Sequence, residues 1–393
     1  MTGIKTGDAE RHLLTGATGF LGSHIMAGLL AQGKSVVIAG RSAGGESLQE
    51  RIRRLLKWFG MERFMGRLEF FESDFLKARM GLDQAAYARL CGRSLPIIHC
   101  ASDTSFAEKN RSRVLQSNVE SLTEILNFAC QSRTRCFHLV SSAYAAGAGI
   151  EECREAPVHS ATFNNVYEES KAQAEILVSA RCREARLPYT ILRPAIVYGD
   201  ARTGKSLRFN ALYFPVRSLL HIRDIYLSDL ENNRGRKAGE CGVQRTADGA
   251  LYLPIRIFIP QLGSINLIPV NYFTEAILSI LEKPENEMVY HITSKQPENM
   301  ARLASYTERF LNISGIEVVI AAAAADGMRN PPEELFDYFI RAYRPYIADK
   351  RFFLRENTDR ATRGALPPDF SYEIFRRCMD FAVSADWGKK LLV

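Results

Sequence analysis

The chain has 393 residues, 46% hydrophobic and 24% charged, with a net charge of +7. It is long enough for one large two-part unit with a sizeable core, and its composition is that of a soluble globular protein. No apolar run approaches the roughly 18–20 residues needed to cross a bilayer, the opening MTGIKTGDAERHLL lacks the apolar stretch of a signal peptide, and no nucleic-acid-binding motif accompanies the modest positive charge, which suits a phosphate-bearing ligand or an acidic carrier protein.

In chain order, Arg11–Thr15 predicts a short strand that runs into a glycine turn, and Phe20–Gln32 a helix with Leu21, Ile25, Leu29 and Leu30 on one side. Ser35–Ala39 is a β-branched strand, Arg51–Phe59 a basic amphipathic helix and Leu68–Phe71 another strand. Strand LPIIHCAS, helix Asn118–Cys130, strand Cys136–Ser141, helix Tyr167–Arg183 and strand Tyr189–Leu192 follow. Strands alternating with helices imply parallel βαβ units. Beyond residue 200 the texture changes. Asp229–Asp248 is polar, basic and glycine-containing, and predicts a mobile loop, placed to act as a lid, before LYLPIRIFIP. INLIPVNYFTEAILSIL returns to strand and helix, VYHITS reads as one more strand, and helices dominate from about residue 300, with a short alanine run at 321–325. The eight cysteines show no CxxC pair and no metal-ligand spacing, which predicts reduced thiols, a cytoplasmic location and no metal.

The turn TGATGFLG follows a strand and opens a helix, the context a dinucleotide fingerprint requires. Gly16 permits the tight turn, Gly19 lets the backbone approach a pyrophosphate, and Gly22 allows close helix packing; Thr18, Phe20 and Leu21 complete the turn and the helix start. Helix N-terminal amides then face the anion. An NAD site places an acid after the next strand, for the ribose 2′-hydroxyl. Here that strand ends in AGRS, so Arg41 and Ser42 stand in the acid's place. A guanidinium there suits the 2′-phosphate of NADP; the alternative is a solvated surface arginine.

Tyr167 and Lys171, four residues apart in VYEESKAQAE, share one helix face. Upstream, HLVSSAY ends a strand with Ser141 and Ser142. A lysine favours the phenolate and lowers a tyrosine pKa, the tyrosine exchanges a proton with a carbonyl oxygen, and a serine steadies the developing charge. Together with the fingerprint, this is a hydride-transfer constellation.

With TGATGFLG, ESDF, IIHCAS, NVESL, HLVSSAY, YEESKAQAE, LRPAIVYGD and PVNYFTEAI in this order over roughly residues 11–295, the chain resembles the extended short-chain dehydrogenase/reductases. More narrowly, it resembles the branch that holds fatty acyl-CoA reductases of the male-sterility type and thioester reductase domains. The resemblance implies that Asp74 and Phe75 lie by the adenine and that Ala101 and Ser102 line the cofactor groove. It implies Ser142 as the catalytic serine, Asn118 as support for the lysine end, and Pro194, Ala195 and Val197 beside the nicotinamide. NTDRATRGAL, residues 357–366, is similar to the branch's C-terminal segment. Two departures fall on the substrate side: Asn271 where the family often has Asp, and the basic stretch 229–248.

GDARTGKS, residues 199–206, matches the P-loop pattern, yet it occupies the place of a familiar run of this family. A working P-loop also needs a nearby strand ending in a magnesium-binding acid; Asp103 is the candidate, on a strand that already flanks the dinucleotide. Arg202 and Lys205 are either solvated loop charges or contacts to a phosphate of a CoA or phosphopantetheine arm.

The expected fold is α/β, a Rossmann-type doubly wound parallel sheet with a smaller, mainly helical C-terminal substrate domain. Residues 1–200 form the NADP-binding domain, with 265–300 returning to it; 201–264 form a substrate-side insertion and 301–393 the helical substrate domain. The expected activity is NADPH-dependent reduction of an acyl-CoA or acyl-carrier-protein thioester to aldehyde or alcohol. The alternatives are a ketone or alcohol oxidoreductase on the same scaffold and a non-enzymatic NADP sensor.

Overall fold

The computed structural model describes residues 10–158, 162–320 and 329–391; the alanine run at 321–325 lies outside them. The first half runs β1 (Arg11–Thr15), α1 (Phe20–Ala31), β2 (Ser35–Gly40), α2 (Leu48–Phe59), β3 (Leu68–Glu72), α3 (Gln84–Cys91) and β4 (Ile97–His99). It continues through α4 (Arg111–Leu115), α5 (Ser121–Gln131), β5 (Phe137–Val140), β6 (Glu152–Cys153), α6 (Val166–Glu184), β7 (Tyr189–Pro194) and β8 (Ile196–Tyr198). Next come α7 (Tyr213–Asn232), α8 (Arg236–Glu240), β9 (Gln244–Arg245), β10 (Leu251–Ile259), β11 (Ser264–Ile265), β12 (Leu267–Pro269) and α9 (Val270–Glu282). The rest is β13 (Met288–Ile292), β14 (Glu298–Asn299), α10 (Met300–Leu311), β15 (Ile313–Ile320), α11 (Pro331–Ile340), α12 (Arg344–Ile347), β16 (Phe352–Phe353), α13 (Glu356–Ala361) and α14 (Tyr372–Ser384).

Seven strands form one parallel sheet in the order β13-β7-β5-β4-β1-β2-β3. Its strands are buried on both faces, which explains runs such as SVVIA without polar alternation. On one face Ile25, Leu29, Ile52, Phe273 and Ile277 bring α1, α2 and α9 down on the sheet. On the other, Leu90, Ile125, Leu126 and Val178 do so for α3, α5 and α6. The strand order reverses between β1 and β4, the crevice where doubly wound sheets bind ligands.

The second region is built on a small sheet, β15-β10-β9, covered by α7, α10, α11 and α14. Residues 313–320, which the sequence places in a helix-dominated stretch, are instead a strand that pairs parallel with β10. The run ISGIEVVI is rich in β-branched residues, and its partner β10 buries alternate side chains from Leu251 to Ile259, so the strand state is fixed by pairing. Residues 229–248 also differ from the expected mobile loop. They complete α7, form α8 and contribute β9. The buried Asp229 accepts the Ala238 amide at 2.9 Å, and its carbonyl accepts the amides of Asn233 and Gly235. Ala238 and Val243 are buried in the second core, so the stretch is a packed edge of the small sheet and not a lid. No helix among the described residues is long and apolar enough to cross a membrane.

Candidate active site

The glycine turn lies between the ends of β1 and β4. Gly16 has φ +73°, and a Cβ on it would fall 2.5 Å from the Ala101 amide nitrogen. A Cβ on Gly22 would fall 2.1 Å from the Gly16 carbonyl oxygen. Only glycine permits this approach of turn, helix and neighbouring strand. Helix α1 begins after Gly19, which has no side chain to cap it, and its first turn carries no acid. By contrast, α2 is closed by a Ser47–Glu50 capping box and α6 by Asn165. Among these three starts, α1 alone leaves its first amides, those of Phe20, Leu21 and Gly22, without a side-chain acceptor, and they suit a diphosphate. Thr18 sits half-buried in the turn.

At the end of β2, Arg41 and Ser42 are exposed. Arg51 from α2 donates to the Arg41 carbonyl at 2.9 Å. Its pKa is lowered by burial first, and by the like charges of Arg54 and Arg41. Sequence reading missed Glu72, at the end of β3. Its carboxylate accepts the Ser42 amide at 2.8 Å, the Ser42 hydroxyl at 2.9 Å and the Leu48 amide at 2.8 Å. Ser42 therefore anchors the start of α2 through Glu72.

After β3, the Asp74 carboxylate accepts the Leu76 amide at 3.1 Å and pairs with Lys77, and Phe75 meets the buried His99 ring edge-on. After β4, the amides of Cys100 and Ala101 both reach the Thr15 hydroxyl. Ser102 donates to the Asn118 side-chain oxygen at 3.2 Å. Asn118 lies on a π-helical turn, Gln116–Glu120, where the sequence predicts plain α-helix. The turn aims its amide so that it accepts from the Asp103 backbone at 2.7 Å and donates to Ser170 at 2.8 Å. Asn118 thus ties the loop after β4 to Ser170, the residue beside Lys171.

Ser142 follows β5 and is buried; its hydroxyl accepts the Tyr144 amide at 3.3 Å. Tyr167 lies in the first turn of α6 and Lys171 one turn on. Burial pushes the Tyr167 phenol up to about 12, and a hydrogen bond with Ser142 pulls the other way. This reverses the direction expected from the lysine. Lys171 is itself buried, which brings its ammonium down to about 8, and its Nζ donates to the Val140 carbonyl at 2.9 Å. Desolvation outweighs the hydrogen bond from Ser142 at Tyr167 and the charges of Cys100 and Glu175 at Lys171. Pro194 closes β7, and Ala195 and Val197 lead into β8, where Val197 pairs with Ile268 of β12.

Residues not singled out in the sequence hold this arrangement. Glu175, one turn past Lys171, accepts from Ser141 at 2.5 Å and pairs with Arg193 at 2.6 Å, both side chains 1% exposed. Arg193 also donates to the carbonyls of Arg154 and Ala156. Arg351, from the C-terminal part, reaches the Gly147 carbonyl at 3.1 Å and pairs with Asp349 and Glu168, the neighbour of Tyr167. The LRP run hints at Arg193; no local signal marks Arg351, which is about two hundred residues from Gly147 and Glu168.

GDARTGKS is not a phosphate loop here. No helix starts at Ser206, since α7 begins at Tyr213. The Asp200 carboxylate accepts the amides of Arg202 at 2.9 Å and Thr203 at 2.8 Å, so donors that a phosphate needs are already taken. Asn271 accepts the Ala201 amide at 3.0 Å, a task that needs only an oxygen. Lys205 is exposed, its Nζ 6.0 Å from the centre of the Trp58 ring. Among the described residues, no group of three or more His, Cys, Asp or Glu is placed to hold a metal.

A sequence profile of the male sterility protein family matches residues 14–277. The chain is 28% identical to the L-2-aminoadipate reductase large subunit of Eremothecium gossypii over 216 residues, 49% of this chain and 16% of that one. It spans less than a third of the length of this and several other curated relatives it matches. The terminal R domain of the myxalamid PKS-NRPS pathway shares the fold with a TM-score of 0.73 at 22% identity, covering 98% of this chain and 93% of that one. A thiolation-reductase di-domain of an archaeal non-ribosomal peptide synthetase does so at 0.68 and 15% identity, covering 96% and 76%. The profile spans the glycine turn, the serine after β5 and the Tyr167–Lys171 helix, more than half of the sequence, and the chain belongs to the male sterility protein family of NAD-binding domains.

Proposed function

We propose that the chain reduces an acyl thioester, carried on CoA or on a carrier-protein arm, to an aldehyde with NADPH. The observation that supports this reading is that Ser142, Tyr167 and Lys171 gather at the carboxyl end of β5, in the same sheet whose β1 runs into an uncapped, glycine-lined helix start where the strand order reverses. The relatives named for reductase and thiolation-reductase domains support the substrate class.

NADPH supplies a hydride to the thioester carbon when bound. The amides at the start of α1 would hold its diphosphate, and Arg41 with Arg51 its 2′-phosphate. Ser142 would hydrogen-bond the substrate oxygen, and Tyr167 would give that oxygen its phenolic proton as negative charge develops. A phenol held near 12 stays protonated at neutral pH and suits a proton donor. Lys171, fixed by the Val140 carbonyl, would offset the phenolate left behind and hold the nicotinamide ribose. The resulting hemithioacetal loses the thiol as its C–S bond breaks, leaving the aldehyde; a second round of reduction would give an alcohol.

The deciding assay follows NADPH and NADH oxidation with thioesters, ketones and aldehydes, with product identification. Thioester turnover to aldehyde is expected. Turnover of ketones alone would make the chain a ketone reductase, and cofactor binding without any turnover would make it a sensor. NADPH should bind at least about tenfold more tightly than NADH, roughly 1.4 kcal/mol, and Arg41→Ala should shrink that margin. Equal affinities in the unmutated protein would refute the assignment of NADPH.

A further inference from the structure

The second region holds an apolar cavity of about 80 Å³. Val216, Leu219, Ile257, Leu303, Ala304 and Ile340 form much of its wall, and among the described residues no Asp, Glu, Lys, Arg or His lines it. The few polar groups at its edge have partners in the protein. Thr307 donates to the Leu303 carbonyl at 2.8 Å, the Tyr343 hydroxyl accepts the Ala211 amide at 3.4 Å, and the Tyr346 hydroxyl accepts from Asn165 at 2.7 Å. A chain of ring contacts links the cavity wall to Tyr167. Tyr343 and Tyr346 line it, and their centres lie 5.8 and 5.5 Å from Phe106. Phe106 in turn lies 5.7 Å from Tyr167.

We propose that this cavity is the acyl subsite and that it takes a short to medium unbranched aliphatic acyl group, not a charged one. The inference rests on the thioester-reductase reading and names its substrate class. At roughly 10–15 Å³ for each water-sized group, the space accommodates about five to eight methylene or methyl groups. A carboxylate or ammonium on the acyl chain would lose its water there with nothing to pair with. An apolar chain would gain with every methylene placed on the wall.

The test uses the full chain, NADPH and a series of acyl-pantetheine thioesters from acetyl to dodecanoyl, with adipoyl as the charged match to hexanoyl. The expected kcat/KM rises about threefold to fourfold per methylene and levels off near eight carbons. Hexanoyl should exceed adipoyl by at least about a hundredfold. Ala304→Phe, or the milder Ala304→Leu if the first fails to fold, should move the plateau to shorter chains and cut the octanoyl-to-butyryl ratio by about tenfold or more. Adipoyl turned over as well as hexanoyl, or a length profile that neither variant moves, would overturn the proposal while leaving the reductase reading intact. If no thioester is reduced at any length, that reading fails instead. Calorimetric titration with 1-octanol then decides the cavity: binding that Ala304→Phe abolishes supports an alkyl site, and no binding to the unmutated protein overturns it.

Discussion

The seven-stranded sheet and the second region differ in how they handle polar groups. The sheet region buries charge and satisfies it: Arg193, Glu175 and Ser141 form a closed network next to Ser142, and Arg351 reaches across from the C-terminal part to join the turn after it. The second region's pairs keep at least one partner toward solvent, as with Arg245 and Glu231 or with Arg256, which is exposed although its partner Glu333 is buried, and the region leaves an apolar space within. Fixed dipoles and proton positions require a rigid, fully hydrogen-bonded surround. A hydrocarbon chain requires only shape and the absence of unpaired charge. The division separates the proposed chemistry from the proposed substrate preference, and the two should break separately.

The largest expected effect strikes the chemistry. Tyr167→Phe should lower kcat by roughly 10²–10⁴ with NADPH still bound, whatever acyl chain is offered. Near-normal turnover would remove Tyr167 from the proposed role. Next comes stability. Glu175→Ala leaves Arg193 charged and buried, and should cost about 3–5 kcal/mol in chemical denaturation, whereas Glu231→Ala in the second region should cost less than about 1 kcal/mol. Similar losses at the two pairs would erase the contrast.

Acid sharpens it further. His12, His24, His99, His138 and His291 all belong to the sheet region, and burial drives them down, the first two to about 4 and the others to about 3. Their folded pKa values lie below the unfolded 6.5, so the unfolded chain binds more protons in between. Stability is therefore fully present above about pH 6.5 and falls as pH drops toward 4. Hydrogen exchange across that range should show amides of β1, β4, β5 and β13 losing protection with the global transition. Stability unchanged between pH 7 and 4.5 would contradict the buried neutral histidines.

The smallest effect belongs to the loop that joins the regions. Lys205→Ala should leave NADPH affinity unchanged and raise KM for a CoA or carrier thioester by up to about fivefold, the worth of an exposed charge contact. Substrates without the phosphate arm should be unaffected. An unchanged thioester KM would make Lys205 a solvated charge above Trp58 and nothing more.

Local pattern made the sheet region readable. Strand and helix periods, the glycine turn, and the four-residue step from Tyr167 to Lys171 are short-range features, and their elements form within a few residues of expectation. The π-turn that aims Asn118 was not readable, because one extra residue in a helical turn leaves the apolar pattern almost intact. Nor was the strand state of 313–320, which depends on β10 as partner, or the folding of 229–248, where one buried carboxylate at Asp229 orders a polar stretch.

The sequence by itself determined the α/β class and the glycine turn of the NAD-binding domain, and it supplied the residues proposed to move a proton, because each follows from backbone sterics and neighbours a few positions apart. Only the tertiary structure decided which way the pKa values of Tyr167 and Lys171 move, since burial is a property of the packed site and here exceeds the charge effect that spacing suggests. It also decided that Arg351 braces the serine turn, that GDARTGKS has no helix to make it a phosphate loop, and that an apolar cavity lies beyond Phe106. The contacts of Arg351 and Phe106 join residues from about sixty to two hundred and forty positions apart, and their pairing is set by the packing of whole elements, which no local pattern encodes.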